Sequence, residues 1–208
     1  MSQREAGRKK AKGIGMTMHM GEKVIVGITG ASGSIYALRL IEVLKEKGLE
    51  VHVVVTDSGW QVLAYECGVT EPAFREKVDF LYDNRNIAAS IASGSFRAGA
   101  MVVVPCSMHM AGALASGVTA DLLSRAADVA LKEGRRLILV PRETPMHAIH
   151  LENLLKLSKA GAAILPAAPG FYHHPQAIAD LVDMMVGKIL DRLGVEHELF
   201  ARWGGQRK

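Results

Sequence analysis

Small and polar residues follow five strand-like apolar runs in this 208-residue chain. The segments are TGASGS (29–34), TDSG (56–59), PCSMHM (105–110), PRETP (141–145) and PAAPGFYHHP (166–175). They supply hydroxyl groups, glycine backbone and a guanidinium next to a carboxylate, at Arg142 and Glu143. Donors and cations of this kind bind anions. Because the carboxyl ends of parallel strands share one edge of a sheet, the five segments predict one ligand site.

The glycine-rich segment near residue 30 has the spacing G-x-x-G-x-x-G, at Gly27, Gly30 and Gly33. This differs from the dinucleotide pattern G-x-G-x-x-G, and the chain contains no G-x-x-x-x-G-K-[ST] triphosphate loop. A glycine turn that opens a helix presents backbone N–H groups and the positive end of the helix dipole to an anion. Ser32 and Ser34 add hydroxyl donors. Two interpretations stay open on these residues alone: a phosphate or nucleotide site, or a tight strand-to-helix turn.

A short-chain NAD(P) oxidoreductase is the nearest competing interpretation of TGASGSIY, but its TGxxxGxG loop fails at Tyr36. Those enzymes also place a lysine four residues after a tyrosine, so that the ammonium lowers the pKa of the phenol. No tyrosine of this chain has that partner; the four are Tyr36, Tyr65, Tyr82 and Tyr172. The sequence therefore argues against this class.

The elements that must position these segments alternate between β-branched runs and stretches of helical period. Strands are predicted at 23–29, 50–56, 100–105, 135–141 and 162–168. Helices are predicted at 33–48, 58–67, 107–116, 119–133, 147–160 and 175–193, and residues 69–98 are less regular. Strands that are apolar on both faces and alternate with helices form a parallel sheet covered on both sides. The sequence predicts an α/β, doubly wound fold with a mainly parallel sheet (Rossmann or flavodoxin-like) in a single domain.

Positive charge is concentrated in the first twenty residues, which hold five basic residues and one acidic residue. The other 188 residues carry 20 basic and 20 acidic side chains, so no nucleic-acid surface is predicted on the domain. We predict a basic, disordered extension over 1–20 and an α/β domain over 21–208. No apolar run reaches about 18 residues, so no membrane span is expected. Cys67 and Cys106 are expected to be reduced, which favours a cytoplasmic location.

Seven segments together match the pattern of a known family in their order along the chain. They are GITGASGSIYALRL, ASGSF, VVVPCSM, LLSRAADVALKE, LVPRETP, HLENLLKLSKAGAAILPAAPGFYHHPQ and FARWG, and they extend over about residues 23–204. On these motifs the chain resembles the flavin prenyltransferase family of the UbiX/Pad type. TGASG alone would be unspecific, whereas seven ordered matches are highly specific.

The resemblance implies an activity, a cofactor and partners. The family binds FMN and transfers a dimethylallyl group from dimethylallyl phosphate to N5 and C6 of the reduced flavin, without a metal. The product, prenylated FMN, is the cofactor of UbiD-type decarboxylases. Family members form large homo-oligomers, so the resemblance implies a dodecamer.

The resemblance also assigns residues to roles. It places the FMN contacts at Gly30, Ala31, Ser32, Thr56, Ser107, Met108, His109, Met110 and Arg142. It places the contacts of the prenyl phosphate, partly from a neighbouring subunit, at Lys132, Arg142, Tyr172 and Lys188. The catalytic residues that it implies are Ser32, Glu66 and Glu143.

The implied chemistry explains why these residue types are needed. Breaking the allylic C–O bond leaves a delocalised cation and a phosphate dianion, so fixed cations and hydroxyl groups must stabilise the departing anion. Ring closure at flavin C6 removes a proton from carbon, which suits a positioned carboxylate. We expect Glu143 to accept this proton with Ser32 as a relay, and the released phosphate is the alternative acceptor.

Two positions depart from the family pattern. His109 stands where the family usually has lysine, and Lys188 stands where arginine is frequent. A lysine keeps the charge but cannot make the bidentate hydrogen bonds of a guanidinium, so weaker phosphate binding is expected at position 188.

Other motifs receive structural interpretations. Asp180 and Asp183 face away from the apolar stripe of the last predicted helix, which favours a solvated face over a metal site. His147 and His150 have no third ligand nearby, so a helix surface or local hydrogen bonds are favoured over a metal. Cys106 has no evident activating histidine, which favours burial over a nucleophilic role.

Two alternative functions remain on the sequence alone. A flavin-dependent cysteine decarboxylase shares the fold and the oligomer, but it needs a catalytic histidine on an early helix and a PASAN-like motif, and no PASAN occurs here. A protein that only stores or delivers FMN would bind flavin without turnover and would tolerate Glu143→Gln.

Overall fold

The computed structural model describes residues 18, 19 and 22–204. Its strands are β1 (Lys23–Ile28), β2 (Glu50–Val55), β3 (Phe80–Asp83), β4 (Ala100–Cys106), β5 (Arg136–Pro141) and β6 (Ala163–Ile164). Its helices are α1 (Ser34–Glu46), α2 (Asp57–Cys67), α3 (Glu71–Arg75), α4 (Met108–Ala115), α5 (Leu122–Lys132), α6 (Ala148–Lys159) and α7 (Ile178–Leu193). A short 3-10 helix covers Ser90–Ala92.

The strands form one parallel sheet in the order β3-β2-β1-β4-β5-β6. In its register, Val24 of β1 lies opposite Val51 of β2 on one side and opposite Ala100 of β4 on the other. Because β1 and β4 are neighbours but are not consecutive in the chain, the strand order reverses between them. In doubly wound sheets the ligand crevice lies outside the carboxyl ends of the strands at such a reversal. The predicted α/β, doubly wound, single-domain fold is confirmed.

Successive side chains of β1 enter two hydrophobic layers on opposite faces of the sheet. Val24, Val26 and Ile28 pack in the layer that contains α1 and α7, and Ile25 packs in the layer that contains α4, α5 and α6. All four side chains are buried. This two-sided burial is the reason that the strands appear in the sequence as continuous apolar runs.

The largest difference from the sequence prediction lies in residues 69–98, which contain α3 and β3. The strand β3 pairs in parallel with β2 at the edge of the sheet, and none of its four residues is buried. A short edge strand lacks the apolar run that identifies buried strands, so its sequence pattern does not reveal it. His52 of β2 helps to hold it, because the His52 ring stacks on Phe80 (4.5 Å) and hydrogen-bonds to the Tyr82 hydroxyl (2.9 Å).

Two residues of the predicted N-terminal extension, Met18 and His19, lie in the described part of the chain. Met18 is buried and packs against Gly99, where an added Cβ would lie 2.9 Å from the Met18 methyl group. Residues 1–17, 20 and 21 lie outside the described part of the chain, so the extension and its boundary stay predictions. Among the described residues, no helix is long and apolar enough to cross a bilayer.

Candidate active site

Thr29 joins the carboxyl ends of β1 and β4 at the point where the strand order reverses. Its buried hydroxyl donates to the Pro105 carbonyl (2.7 Å) and accepts from the Ser107 N–H (2.8 Å). One short side chain at the end of β1 thereby satisfies two polar groups at the end of β4. The sequence prediction gives Thr29 no role, although its position as the first residue after an apolar strand is the signal that identifies it.

The first turn of α1 already holds an anion, the carboxylate of Glu66. The N–H groups of Gly33 and Ser34 donate to its Oε2 at 2.9 and 3.0 Å. Gly33 has a φ of 107°, a left-handed conformation that glycine adopts without strain. Glu66 therefore occupies the N–H groups that the glycine turn was predicted to present to an external anion.

The surroundings of Glu66 favour its ionised form. Partial burial alone raises its pKa, but hydrogen bonds from the Ser32 hydroxyl and from the two N–H groups outweigh this effect. The charge of Arg142 acts in the same direction, so the pKa of Glu66 lies below its ordinary value. Arg142 Nε also donates to the Ser32 carbonyl (3.3 Å). Ser32, Glu66 and Arg142 thus form one cluster beside the reversal of strand order.

Gly30 and Thr56 allow the loops after β1 and β2 to approach each other. Thr56 caps α2, since its Oγ1 accepts the Gly59 N–H (3.0 Å), and it lies 3.2 Å from the Ser58 hydroxyl. A Cβ on Gly30 would come within 2.5 Å of the Ser58 side chain, so no larger residue fits without a shift. Ala31, next to Gly30, is buried. The predicted residues at these two strand ends therefore lie close together.

The segment after β4 supplies a further helix N-terminus. The Ser107 hydroxyl accepts the Met110 N–H (3.2 Å) and so caps α4. The N–H groups of Met108 and His109, in the same first turn, have no acceptor within the helix. The side chains of Met108 and Met110 are buried, so His109 presents the exposed side chain of this segment.

Arg142 and Glu143 extend from the carboxyl end of β5. The Arg142 N–H bonds to the Cys106 carbonyl (3.3 Å), which places it beside the end of β4. The Glu143 carboxylate is partly exposed and accepts the N–H of the next residue (3.0 Å). The hydroxyl of Ser32, predicted as the relay for Glu143, donates to Glu66 in this structure, and its role as a relay stays a prediction.

Comparison with known proteins identifies the family to which this arrangement belongs. The family model described as Flavoprotein matches residues 15–191. The flavin prenyltransferase UbiX of Halalkalibacterium halodurans is 50% identical over 192 residues, covering 88% of this chain and 93% of the relative. The chain belongs to the UbiX-type flavin prenyltransferase family.

Two solved structures from relatives share this flavin prenyltransferase fold. AnUbiX, crystallised in complex with FMN and dimethylallyl pyrophosphate, has a TM-score of 0.88 and 40% identity, covering 90% of this chain and 100% of that chain. A dodecameric FMN-dependent UbiX-like decarboxylase from Escherichia coli O157:H7 has a TM-score of 0.86 and 42% identity. The match covers 88% of this chain and 100% of that chain. The predicted family is confirmed.

Lys132 lies away from the crevice of its own chain. Its helix, α5, begins beside the carboxyl end of β3, where the Leu122 N–H bonds to the Asn84 carbonyl (2.9 Å). Lys132 ends the helix, shortly before β5 begins at Arg136, so it lies at the amino edge of the sheet. The crevice is at the opposite edge, and a single chain does not bring Lys132 to it.

Tyr172 and Lys188 lie toward opposite edges of the sheet. Tyr172 is in the loop that follows β6 at the carboxyl edge, and its ring packs against Trp203 with 6.1 Å between centroids. The end of α7 is tied to the start of β5, because Arg136 donates to the Leu193 carbonyl. The exposed Lys188 is on this C-terminal half of α7, nearer the amino edge. Of the two, Tyr172 is on the side of the crevice.

The side chains considered for a metal have other partners. Asp180 accepts two backbone N–H groups just before α7 (2.7 and 3.0 Å), and Asp183 accepts from Arg39 Nε (2.7 Å). The rings of His147 and His150 face each other with 3.6 Å between centroids. Across residues 18, 19 and 22–204, no group of three or more His, Cys, Asp or Glu side chains is arranged to hold a metal ion.

Both cysteines are free thiols with raised pKa values. Complete burial raises the pKa of Cys106 to about 12. Burial, and then the charge of Glu66, raise the pKa of Cys67. Since the thiolate is the nucleophilic form, these environments disfavour a role for either cysteine in catalysis. The predicted burial of Cys106 is confirmed.

Proposed function

We propose that this protein transfers the dimethylallyl group of dimethylallyl phosphate to N5 and C6 of reduced FMN, without a metal ion. The observation that carries the proposal is the cluster of Ser32, Glu66 and Arg142 at the reversal of strand order. Its guanidinium supplies the positive charge that a phosphorylated flavin and a departing phosphate need, and its carboxylate holds the Ser32 hydroxyl in place. The related AnUbiX structure, which holds FMN and a dimethylallyl ester, supports this assignment.

FMN is assigned to the crevice beside this cluster. The proposed contacts come from four strand ends: Gly30, Ala31 and Ser32 after β1, Thr56 after β2, Ser107, Met108, His109 and Met110 after β4, and Arg142 after β5. Glu66 takes two N–H groups of α1, so the helix N-termini left for the flavin are those of α2 and α4. The contact between Gly30 and Ser58 supports a shared wall for the ligand, because it brings two of these strand ends together.

The departing phosphate is assigned to groups from more than one subunit. Arg142 and Tyr172 are at the carboxyl edge of their own chain, whereas Lys132 is at the opposite edge. In this proposal Lys132 and Lys188 therefore act in the crevice of a neighbouring copy, and the protein is a homo-oligomer. The dodecameric relative from Escherichia coli supports such an assembly. As the C–O bond breaks, its electron pair leaves with the phosphate, whose charge these groups stabilise.

Proton removal at flavin C6 is assigned to Glu143. One oxygen of this carboxylate accepts a backbone N–H (3.0 Å), and the other is left to accept a proton. Glu66 is less suited as a base, because its hydrogen bonds hold its pKa below the ordinary value. Glu66 is assigned instead to holding the Ser32 hydroxyl in place beside the flavin.

One reaction tests the proposal. The purified protein is incubated anaerobically with reduced FMN and dimethylallyl phosphate, and the flavin is analysed by mass spectrometry. We expect a mass gain of one C5H8 unit with release of one phosphate. Dimethylallyl pyrophosphate in a parallel reaction distinguishes the two esters as donors. An unchanged flavin mass, with FMN bound and no phosphate released, contradicts the proposal.

The same reaction separates the alternative functions. A protein that only stores or delivers FMN would bind the flavin and leave its mass unchanged. A cysteine decarboxylase would release CO2 from a peptide with a C-terminal cysteine, and none of the three relatives reported above is named as a cysteine decarboxylase. The product is proposed to serve a UbiD-type decarboxylase, which the reaction mixture should activate when it is added to the apo form of such an enzyme.

A further inference from the structure

The C-terminal segment, residues 195–204, folds back along α7 and packs closely against one glycine. A Cβ on Gly187 would come within 2.5 Å of the Phe200 ring and 2.6 Å of the His197 ring. Only 1% of the His197 side chain is exposed. A helix position without a side chain therefore lets both rings approach the backbone of α7.

A carboxylate one turn further along α7 binds the same segment. Asp191 accepts two hydrogen bonds from the Arg202 guanidinium (3.1 and 2.7 Å) and one from His197 Nε2 (3.2 Å). Because His197 Nδ1 accepts the Leu199 N–H (3.2 Å), the proton of the neutral ring is on Nε2 and is directed at Asp191. Asp191, His197 and Arg202 together are called the clamp below.

The electrostatics of the clamp keep Asp191 ionised. Its burial alone raises the pKa, but the hydrogen bonds and charge of Arg202, together with His197, outweigh that effect. The pKa of Asp191 therefore lies below its ordinary value. An ionised carboxylate that accepts two guanidinium N–H groups makes a strong and geometrically specific contact.

The clamp places an aromatic ring against the loop that follows β6. Trp203 comes directly after Arg202. The centroids of the Trp203 and Tyr172 rings are 6.1 Å apart, and the two ring planes are inclined at 77° to each other. Next to them, the His173 ring lies 6.4 Å from Phe200. Tyr172 is 42% exposed, so packing against the rest of its own loop and the core holds its ring only in part. Its contact with Trp203 makes the position of Tyr172 depend on the C-terminal segment.

The clamp also limits the pairing of Lys188. The Lys188 ammonium is 3.9 Å from Asp191 Oδ2, at the outer limit of an ion pair, whereas Arg202 reaches both oxygens. A guanidinium that contacts both oxygens competes well against a single ammonium for one carboxylate. The charge of Lys188 is thereby left for another anion.

We propose that Asp191, His197 and Arg202 are positioning residues that hold Tyr172 in place and leave Lys188 free for the phosphate of the prenyl donor. The proposal rests on the proposed prenyl transfer. The three residues do not touch the substrate. The clamp fixes Trp203, which packs against Tyr172, and Arg202 occupies the carboxylate with which Lys188 would otherwise pair.

Arg202→Ala tests the clamp at little risk to the fold, because 58% of the Arg202 side chain is exposed. We expect the KM for dimethylallyl phosphate to rise about tenfold, since small displacements of binding groups weaken catalysis strongly. FMN affinity should be retained, and hydrogen–deuterium exchange of residues 195–204 should become faster. Arg202→Lys, which keeps the charge but not the bidentate contact with Asp191, should give an intermediate KM. Arg75→Ala is the matched control, because its side chain is also 58% exposed and pairs with Glu71.

A second variant, Gly187→Ala, displaces the segment without removing a charge. It should also raise the KM for dimethylallyl phosphate and speed exchange over residues 195–204. Faster exchange with an unchanged KM in both variants would overturn the proposal, and so would a raised KM with unchanged exchange. Failure of the wild-type protein to prenylate FMN would overturn the proposed function, and unchanged exchange in Arg202→Ala would separately show that the clamp does not hold the segment.

Discussion

Two carboxylates near the crevice differ in the hydrogen bonds that they accept. Glu66 accepts two backbone N–H groups and the Ser32 hydroxyl, and these bonds hold its pKa below the ordinary value. Glu143 accepts the N–H of the next residue along the chain. A carboxylate with a lowered pKa is a weak base, so the two residues suit different tasks. Glu66 organises the turn before α1, which leaves Glu143 as the proposed proton acceptor.

Glu143→Gln should bind FMN and slow prenyl transfer by about 10²- to 10⁴-fold, the range for losing a general base. The amide keeps the shape and the hydrogen bond to the backbone but does not accept a proton. The measurement is the rate of mass gain of the flavin under anaerobic conditions. Glu152→Gln, an exposed carboxylate on α6, serves as the control and should react at the wild-type rate. Unchanged turnover in Glu143→Gln would remove Glu143 from this role.

Glu66 should contribute to stability in a pH-dependent way. Because its folded pKa lies below its unfolded value of about 4.3, its contribution is present above that pH. The contribution is lost as the pH falls through the folded pKa. Glu66→Gln should therefore lower the free energy of unfolding, measured in urea at pH 7, by roughly 1 kcal/mol or less, because the site is exposed. The deficit should shrink at pH 3, and a deficit that is equal at both pH values contradicts this reasoning.

At the scale of elements, the crevice is formed by loops whose contacts depend on small residues. The loop after β1 meets the loop after β2 at Gly30 and Ser58, and it meets β4 through the Thr29 hydroxyl. Some of the N–H groups at the helix N-termini are already hydrogen-bonded within the chain. Glu66 accepts the N–H groups of Gly33 and Ser34 at the start of α1, and the Ser107 hydroxyl accepts one N–H group of α4. The position of each element therefore decides which donors are left for a ligand.

Gly30→Ala should push these two loops apart. The new Cβ would lie within 2.5 Å of the Ser58 Cβ and Oγ, and relieving this overlap should cost about 1–3 kcal/mol. We expect weaker FMN binding and a lower thermal unfolding midpoint. Ser58→Gly in the same chain removes the overlapping atoms and should restore most of the FMN affinity. A double variant that binds FMN no better than Gly30→Ala would show that steric overlap is not the cause.

At the scale of the whole molecule, the proposed phosphate site requires more than one copy of the chain. Arg142 and Glu143 follow β5 at the carboxyl edge, and Lys132 ends α5 at the amino edge of the same sheet. No loop movement within one domain brings the two edges together, because the packed sheet lies between them. A closed homo-oligomer brings the opposite edges of neighbouring copies into contact.

Co-expression of two inactive variants tests this arrangement. If Lys132 acts in the crevice of a neighbouring copy, Lys132→Ala and Glu143→Gln should each be nearly inactive alone. In a randomly mixed oligomer, about one quarter of the sites should combine an intact Glu143 with an intact Lys132 from another copy. Prenylation activity should then return to roughly a quarter of the wild-type level. Mixed oligomers that remain inactive would place Lys132 outside the shared site.

The elements and the candidate residues differ in how far the sequence predicts them. Buried strands such as β1 and β4 were predicted almost to the residue, because apolar runs between glycine and polar turns are a local property of the chain. The edge strand β3 was missed, since its residues are not buried and carry no such pattern. The residues at the strand ends could be predicted as a group for the same local reason, together with the family motifs.

The sequence by itself determined the fold class, the family and the edge of the sheet that carries the crevice. Only the tertiary structure decided how these residues pair: Glu66 with the turn 33 residues before it, Ser32 with Glu66, and Arg202 with Asp191. It also decided that Lys132 lies across the sheet from Arg142. Hydrophobic periodicity specifies which face of an element is buried, whereas contacts between distant residues depend on how the elements pack against each other.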